Sequence, residues 1–404
     1  MVSYIGWGNG PWGYVPWGES VVDVDVNLTG VQATGSVGSV TVAANASVTL
    51  IGVQGTGQGH ISRARAMAKE LARYPELDVT WLFSGRSKSR LFDMECFGDY
   101  AWRRGLTFAS REGKLHYLDT LRANNAPAFI RDVIQLDLGS YDLIISDYEP
   151  VTAWAAKLRG RECIGIGHQY AFDGSSPVAK ADWLSKTIMR LFAPTTRSVG
   201  LHWYPFSQSI CPPIIDLPDA MPATGEHVLV YLPFENQTTV TQWLHAHADV
   251  EFRQYSPDVQ NETLANVTTC PTDYQGFKYD LANCKGVICN SGFELISECL
   301  QWGKPVLTFP MRGQMEQSSN ALALDQLQLA KVCDTLDSHA LGDFLQGLRQ
   351  QSSINFPNVA AALARWIRDG ATESPMNLAA DLWRGVRIAQ LNPPKSEAPK
   401  AIAA

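Results

Sequence analysis

From residue 48 onward, short apolar strands alternate with amphipathic helices, and this order restricts the fold more than any other feature of the sequence. VTLIGVQ (48–54) is an apolar run typical of a buried strand, and a helical pattern at 60–74 follows it. Strands that alternate with helices form parallel sheets covered by helices on both faces, so we predict an α/β fold. Further strands of this set are predicted at 78–85, 141–147 and 162–169.

The alternation begins again after a proline-rich stretch at residues 210–227, which is typical of a linker. Predicted strands at 227–234, 250–256, 286–290 and 305–310 follow it, with helices between them. The sequence therefore predicts two Rossmann-like lobes in tandem, with a ligand crevice between them. The predicted segments are a leader (1–47), an amino-terminal lobe (48–209), the linker (210–227), a carboxyl-terminal lobe (228–372), a last helix (373–391) and a disordered tail (392–404).

The first 47 residues differ in composition from the rest of the chain. GWGNGPWGYVPWGES (6–20) places three Trp among Gly and Pro, and residues 21–50 contain no Lys or Arg. This pattern predicts an irregular β-type leader that is not part of the core. VNLTGVQATG (26–35) and VTLIGVQGTG (48–57) are identical at seven of ten positions. Such a junction is compatible with a genuine fusion or with an artefact of joined sequences.

Charge, cysteine content and hydropathy exclude several functional classes. A net charge of −7 disfavours nucleic acid as a partner. The eight cysteines have no metal-ligand spacing and indicate reduced thiols of a cytoplasmic protein. We expect no metal and no cofactor. A secretory signal is not predicted, and neither is a membrane span, because no run of 18 apolar residues occurs.

Two glycine-containing turns follow predicted strands. GTGQGH (55–60) joins a strand to a helix whose first turn also carries Arg63, and CNSG (289–292) does the same in the second lobe. Glycines leave backbone N–H groups accessible, and a helix N-terminus attracts anions. The first turn alone is equally compatible with a tight connection that binds nothing. Two such turns at the carboxyl ends of strands predict a site for a phosphate or a sugar.

The two turns together resemble those of the inverting nucleotide-sugar glycosyltransferases of GT-B architecture. GTGQGH and SGFELISECLQWGKPVLTFPMRGQMEQSSNA (291–321) resemble the group of the bacterial lipid II synthase, a UDP-N-acetylglucosamine transferase. SRARAMAKEL, FSGR, SDYEP and GIGHQYAF resemble a little-characterised prokaryotic branch. The resemblance extends from residue 48 to about 390. It implies metal-independent transfer of a hexose or N-acetylhexosamine from a UDP-sugar to a hydroxyl of a glycan, a lipid-linked intermediate or a small acceptor.

The resemblance also implies which residues perform the chemistry. It places His60 opposite the acceptor, where a neutral imidazole can take the proton of an attacking hydroxyl. Asp147 ends a predicted strand and is the expected partner of His60 in a catalytic dyad. In the alternative, His60 only lines the loop and Asp147 or Glu149 is the base. Glu149, His168 and Gln169 are expected on the acceptor side, although His168 is also compatible with a buried structural histidine.

The donor side is implied by the second turn and the loop after it. Glu298 matches a glutamate that binds the ribose hydroxyls, and its alternative is a solvated helix position. Arg312 is either a contact of the diphosphate or a surface cation. Glu294 is expected at the surface or at the rim of the donor sugar. The identity of that sugar stays open, because this chain has Gln314 and Gln317 where many relatives carry Asp and Gln in adjacent or near positions. The implied nucleotide-sugar residues are Gly57, Gly59, Ser291, Gly292, Glu298, Arg312, Gln314, Gln317 and Asn320.

Other functions share some of these features. A non-hydrolysing UDP-N-acetylhexosamine 2-epimerase has the same architecture, and residues 1–47 loosely resemble repeats of phage structural or adhesion proteins. Residues 179–206 mix basic and apolar side chains. This segment predicts either a peripheral contact with the inner face of the membrane or a helix packed on the first lobe with its basic side solvated. The oligomeric state is not predicted.

Overall fold

A computed structural model describes residues 47–111, 113–172, 176–179, 183–218, 221–349 and 351–387. Before residue 47 it gives three short strands, β1 (Asp23–Leu28), β2 (Val31–Ser36) and β3 (Ser39–Ala43), which pair antiparallel in a sheet of their own. These strands agree with the predicted β-type leader. The tryptophan-rich start of the leader and the predicted tail 392–404 lie outside the described residues.

The amino-terminal lobe is a parallel sheet with helices on both sides. In chain order its elements are β4 (Ser47–Gln54), α1 (Gln58–Leu71), β5 (Leu77–Ser84), β6 (Ala101–Trp102), β7 (Ser110–Arg111), β8 (Lys114–Leu115), α2 (Tyr117–Ala123), α3 (Ala126–Gln135), β9 (Leu143–Asp147), α4 (Pro150–Leu158), β10 (Ile164–Gly167), α5 (Trp183–Phe192), β11 (Arg197–Leu201) and β12 (Ile210–Cys211). The sheet has the order β12-β11-β10-β9-β4-β5-β6, and β7 and β8 form a separate hairpin.

The strand order reverses between β4 and β9, which lie side by side in parallel with Val53 opposite Asp147. In open α/β sheets, ligands bind beyond the carboxyl ends of the strands at such a reversal. Because both strands are fully buried over their last residues, their ends are fixed by the sheet. The loop that follows β4 and the side chain of Asp147 therefore meet at one place.

The carboxyl-terminal lobe repeats this plan. Its elements are β13 (His227–Tyr231), α6 (Gln237–His245), β14 (Glu251–Ser256), β15 (Glu262–Leu264), β16 (Val267–Pro271), α7 (Tyr274–Asn283), β17 (Gly286–Asn290), α8 (Phe293–Trp302), β18 (Val306–Phe309), α9 (Met315–Leu327), β19 (Lys331–Val332), α10 (Ser338–Gln346), α11 (Val359–Arg368) and α12 (Pro375–Arg384). The sheet order is β15-β16-β14-β13-β17-β18-β19, and β15 alone among these strands is antiparallel. The predicted GT-B arrangement of two Rossmann-like lobes is confirmed.

The two lobes share one hydrophobic cluster, and each lobe also has a cluster of its own, which includes Leu50 and Leu82 in the first lobe and Val228 and Phe252 in the second. A single cluster of buried side chains includes Ile61 and Leu71 of α1 together with Phe293 of α8 and Leu363 of α11. The last helix, α12, packs against β12 of the first lobe, where the Trp383 indole donates a hydrogen bond to a backbone carbonyl. The carboxyl-terminal helices thus return to the amino-terminal lobe and hold both lobes together.

Three predicted segments have other boundaries in the structure. The stretch 179–206 is not one amphipathic face, because its second half is the buried strand β11. Lys180 and the side chains of Trp183 and Lys186 lie outside the described residues. The linker 210–227 overlaps β12 at its start and β13 at its end. The last helix is shorter than 373–391 among the residues described.

The cysteines are unpaired, and the described helices are too short or too polar to span a membrane. All eight cysteines are free thiols, and most of them are buried, as expected. In the part of the chain that the structure describes, no helix has both the length and the apolar character needed to cross a bilayer.

Candidate active site

The carboxyl ends of both sheets open into a cleft between the lobes. Its amino-terminal wall includes the glycine loop and the start of α1, and its opposite wall includes the starts of α8 and α9. The predicted site residues that line this cleft are Gly57, Gly59, His60, Gln169, Gly292, Glu298, Gln314 and Gln317. Sequence motifs from both lobes are therefore brought together in one site.

His60 and Asp147 form a hydrogen-bonded pair at the strand reversal of the first lobe. The Nδ1 atom of His60, in the first turn of α1, lies 2.9 Å from an Oδ atom of Asp147 at the end of β9. If Nδ1 carries the proton, Nε2 is left as an acceptor, 3.3 Å from the amide nitrogen of Gln169. Burial acts to raise the pKa of Asp147, but Arg63 and His60 outweigh it and hold that pKa below its usual value. The pair can therefore orient an imidazole and stabilise it when protonated.

Arg63, which follows the same glycine loop in the sequence, lies behind this pair. Its side chain is buried, and its Nε atom donates to the second carboxylate oxygen of Asp147 at 3.0 Å. Its Nη1 atom forms an ion pair with Glu294 of α8, in the other lobe. Glu294 also lines the cleft, so its carboxylate is ion-paired at the cleft wall and is not simply solvated at the surface. The spacing of His60 and Arg63 by three residues signals a shared helix face, but no local pattern signals Glu294.

Three helices begin at the cleft without a side-chain cap. They are α1, α8 and α9, whose N-cap residues are Gly57, Gly292 and Gln314. Seven helices elsewhere have caps that accept a backbone hydrogen bond, from Asn125, Glu149, Asn236, Asp273, Asp337, Asn358 and Ser374. Uncapped N–H groups at a helix start form an anion site. The starts of α1, α8 and α9 therefore leave these groups accessible to a ligand in the cleft, although α2, which begins after His116 outside the cleft, also lacks a side-chain cap.

Glu298 lines the cleft from the second turn of α8 but is not solvated. Its carboxylate is buried and forms an ion pair with Lys278 of α7. Burial raises the pKa of Glu298 to about 7, although Lys278 opposes that shift. Lys278 also donates to the backbone carbonyl of Asp216 at 2.6 Å. The alternative of a solvated helix residue is therefore excluded, and Glu298 is held in place as a fixed acceptor.

Glu149 does not face the cleft. Its side chain is fully buried and caps α4, where it accepts hydrogen bonds from the N–H groups of Val151 and Thr152 at 2.8 and 2.6 Å. Ser84 donates to the same carboxylate. Burial raises the pKa of Glu149 against these hydrogen bonds. The expectation that Glu149 lies on the acceptor side, or acts as the base, disagrees with this position.

His168 and Asn320 form a buried bridge between the lobes and are not part of the cleft surface. His168 Nε2 lies 2.6 Å from the amide oxygen of Asn320, and its ring stacks on Phe293 with centroids 3.9 Å apart. Asn320 in turn donates to the carbonyl of Ser291 at 3.0 Å. Burial lowers the pKa of His168. The structural interpretation of His168 therefore fits its surroundings.

Ser291 differs from its expected place, and Arg312 takes the second of its two expected positions, that of a surface cation. The N–H of Ser291 donates to the carbonyl of Phe309 at 3.1 Å, and its hydroxyl lies 2.9 Å from that of Thr308, so its backbone N–H is already used. Arg312 is exposed, and its backbone N–H donates to the carbonyl of Gly113 at 2.7 Å. The hairpin of the first lobe thus touches the second lobe beside the cleft.

Several amides at the cleft carry unused acceptors. The side-chain oxygens of Gln169, Asn290 and Gln314 are buried and find no hydrogen-bond partner among the described residues. Gln317, by contrast, accepts from the N–H of Met311 at 2.8 Å. Buried amide oxygens without partners are costly, and a ligand rich in hydroxyl donors would satisfy them. Within the described ranges, no three His, Cys, Asp or Glu side chains are grouped so that they could hold a metal ion.

A family model covers most of the chain, including both walls of the cleft. The model described as Glycosyl transferase family 1 matches residues 47–349. It begins after the leader, and no comparison supports the resemblance of residues 1–47 to phage proteins. Among curated proteins, none matches this chain.

Solved structures with similar backbones include three glycosyltransferases. UGT2 from Phytolacca americana, complexed with UDP-2fluoro-glucose and pterostilbene, is 12% identical with a TM-score of 0.49, over 84% of this chain and 95% of that one. SnogD from Streptomyces nogalater is 17% identical with a TM-score of 0.45, over 83% and 99%. MurG from Acinetobacter baumannii is 14% identical with a TM-score of 0.44, over 83% and 99%. All three scores are below 0.5, and the family match stands without them.

Proposed function

Because the chain belongs to glycosyl transferase family 1, we propose that it transfers a hexose or N-acetylhexosamine from a UDP-sugar to a hydroxyl group with inversion. The observation that carries this proposal is the His60–Asp147 pair, which faces the uncapped start of α8 across the cleft. A base on one wall and an anion site on the other suit a direct displacement at a carbon held between them.

In the proposed reaction, the acceptor oxygen attacks the anomeric carbon of the donor. The new carbon–oxygen bond forms as the bond from that carbon to the diphosphate oxygen breaks, and the leaving diphosphate keeps the electron pair. His60 Nε2 takes the acceptor proton, and Asp147 stabilises the resulting imidazolium. The free N–H groups at the starts of α8 and α1 can donate hydrogen bonds to the diphosphate and stabilise the negative charge that develops on it. This stabilisation supports transfer without a metal ion.

The donor side of the cleft supports a nucleoside diphosphate sugar. Glu298 can accept hydrogen bonds from the two ribose hydroxyls, because Lys278 fixes its carboxylate at the cleft wall. The unpaired amide oxygens of Gln314, Asn290 and Gln169 can accept from sugar and acceptor hydroxyls. Gly57 and Gly292 leave space at the helix starts, since a Cβ atom at either position would meet no atom within 4 Å.

The test is turnover with a panel of UDP-sugars and hydroxyl acceptors. We expect release of UDP with one donor, binding of UDP by calorimetry, and a product of inverted anomeric configuration by NMR. His60→Gln should abolish transfer, whereas His339→Gln, an exposed position on α10, should not change it. Absence of UDP binding would refute the proposal. A product formed from UDP-N-acetylglucosamine without any acceptor would indicate the epimerase instead.

The cellular setting is a separate proposal. A cytoplasmic location and a membrane contact through residues 179–206 stay predictions. In this segment Ile188 and Leu191 of α5 are exposed, which supports a limited apolar contact. Flotation of the protein with vesicles of anionic lipid tests the contact, and flotation only with neutral lipid would contradict a role of the basic residues.

A further inference from the structure

An ion network behind His60 connects the two lobes through Arg63. The Arg63 side chain is only 2% exposed. It donates to both carboxylate oxygens of Asp147, and its Nη2 atom lies 2.9 Å from Nδ1 of His60. Its remaining nitrogen, Nη1, pairs with the carboxylate of Glu294. His60 and Arg63 therefore compete for the same negative charge, and Glu294 supplies a second one.

Glu294 reaches this network from the opposite lobe because Gly59 leaves room for it. A Cβ atom added at Gly59 would overlap the carboxylate of Glu294. Glu294 is in the first turn of α8, whereas His60 and Arg63 are in the first turns of α1. Any movement that separates these two helices takes Glu294 away from Arg63 but leaves Arg63 bound to Asp147.

We infer that Arg63 and Glu294 are a pair of positioning residues through which the carboxyl-terminal lobe adjusts the protonation of His60. The inference rests on the proposed role of His60 as the base. The cation of Arg63 weakens the stabilisation that Asp147 gives to protonated His60, and Glu294 offsets that cation. When α8 lies against α1, Glu294 therefore offsets the Arg63 cation beside His60.

Other charged groups near His60 lie outside the ion network that Arg63 and Glu294 form with Asp147. Glu316 of α9 approaches His60 through Gln169, whose amide nitrogen lies 3.1 Å from the Glu316 carboxylate. His168 lies next to Gln169 but is directed to Leu201 and Asn320. The remaining charged groups on the cleft wall, Arg65, Lys278 and Glu298, bind other partners. Glu294 is thus the carboxylate of the second lobe that contacts the Arg63–Asp147 unit directly.

The test is an NMR titration of the full chain with isotope-labelled histidine, and it requires no donor. The His60 signals are assigned by their loss in His60→Gln. Arg63→Met removes the competing cation, so the midpoint of the His60 imidazole titration should rise by about one pH unit or more. Glu294→Gln leaves the cation unopposed, so the midpoint should fall by a similar amount. Arg63→Lys keeps the charge and should stay nearer to the unmodified protein.

A matched control removes another contact between the lobes. Trp203 donates a hydrogen bond of 2.8 Å to the hydroxyl of Ser297 on α8, and Ser297→Ala should leave the His60 midpoint unchanged. Opposite shifts in Arg63→Met and Glu294→Gln are a result that loss of packing alone would not produce. Midpoints that move in the same direction, or do not move, would overturn the inference. If Arg63→Met does not fold, Glu294→Gln and Arg63→Lys still decide between the outcomes.

The titration of His60 and the binding of UDP test this inference and the proposed function separately. If UDP does not bind the unmodified protein but the two midpoints shift as expected, the function fails and the ion network stands. If UDP binds and the midpoints do not shift, the network fails and the function stands.

Discussion

Replacement of Asp147 by Asn should slow transfer about a hundredfold while leaving donor binding nearly unchanged. Asp147 accepts hydrogen bonds from His60 and Arg63, and its carboxylate is buried beneath the cleft. In the transition state His60 becomes an imidazolium, and an opposite charge about 4 Å away is worth about 4 kcal/mol at an effective dielectric of about 20. Arg63 offsets part of this, so we expect a loss of about 3 kcal/mol, or roughly two orders of magnitude in kcat.

The measurement is a double-mutant cycle in kcat with His60→Gln, Asp147→Asn and the pair. Because Asp147 acts through His60, the double variant should be about as slow as His60→Gln alone. His339→Gln serves as the histidine control. If Asp147→Asn keeps more than about a tenth of the activity, or if the two losses multiply, the dyad is not the base and the reasoning from the 2.9 Å contact is wrong.

Three further outcomes follow from the same structure. Burial raises the pKa of Glu298 to about 7, and the ionised form accepts ribose hydrogen bonds. UDP affinity by calorimetry should therefore fall as the pH drops through about 7, and Glu298→Gln should weaken this dependence to that of the UDP phosphate itself, which titrates at about pH 6. Gly59→Ala should lower kcat about tenfold, because the added methyl group displaces Glu294. Gly57→Ala places its methyl group in open space and should lower kcat less. Equal losses of kcat in the two variants would contradict this role of Gly59. A chain that begins at Ser47 should keep its transfer rate, since β1, β2 and β3 form a sheet apart from both lobes; a lower rate would assign the leader a role.

The fold could be predicted because its signals are local. Runs of apolar residues, glycine turns and helical periodicity lie within short windows, and they predicted four of the seven strands in each sheet; the strands not predicted are mostly short and at the sheet edges. The short strand β11 was missed because apolar residues on both sides of it continue the pattern of an amphipathic segment. The pairing of His60 with Asp147 was an implication of the family resemblance, and the structure places the two in contact because β4 and β9 are adjacent at the strand reversal.

The rest of the site depends on contacts that no local pattern contains. Arg63 and Glu294 are 231 positions apart, and the choice between an exposed and a paired Glu294 depends on how the lobes dock. Glu149 follows a strand as a catalytic residue would, but the same position is also the N-cap of α4, and the cap determines its direction. Sequence reasoning identified the chemical type of each residue better than the direction of its side chain.

The hydrophobic core that runs through both lobes has a consequence for how the chain denatures. Two lobes with separate cores would melt in two steps, each with its own enthalpy. Here the cluster that contains Ile61 and Leu363 belongs to both sheets, and α12 fastens the end of the chain to β12. Loss of α1, α8 or α11 would expose apolar surface of the other lobe, whereas α4 and α6 pack in clusters that belong to one lobe each. Calorimetry should therefore show one transition, with equal calorimetric and van't Hoff enthalpies, and the cleft between the lobes should unfold at the same temperature as the rest of the fold.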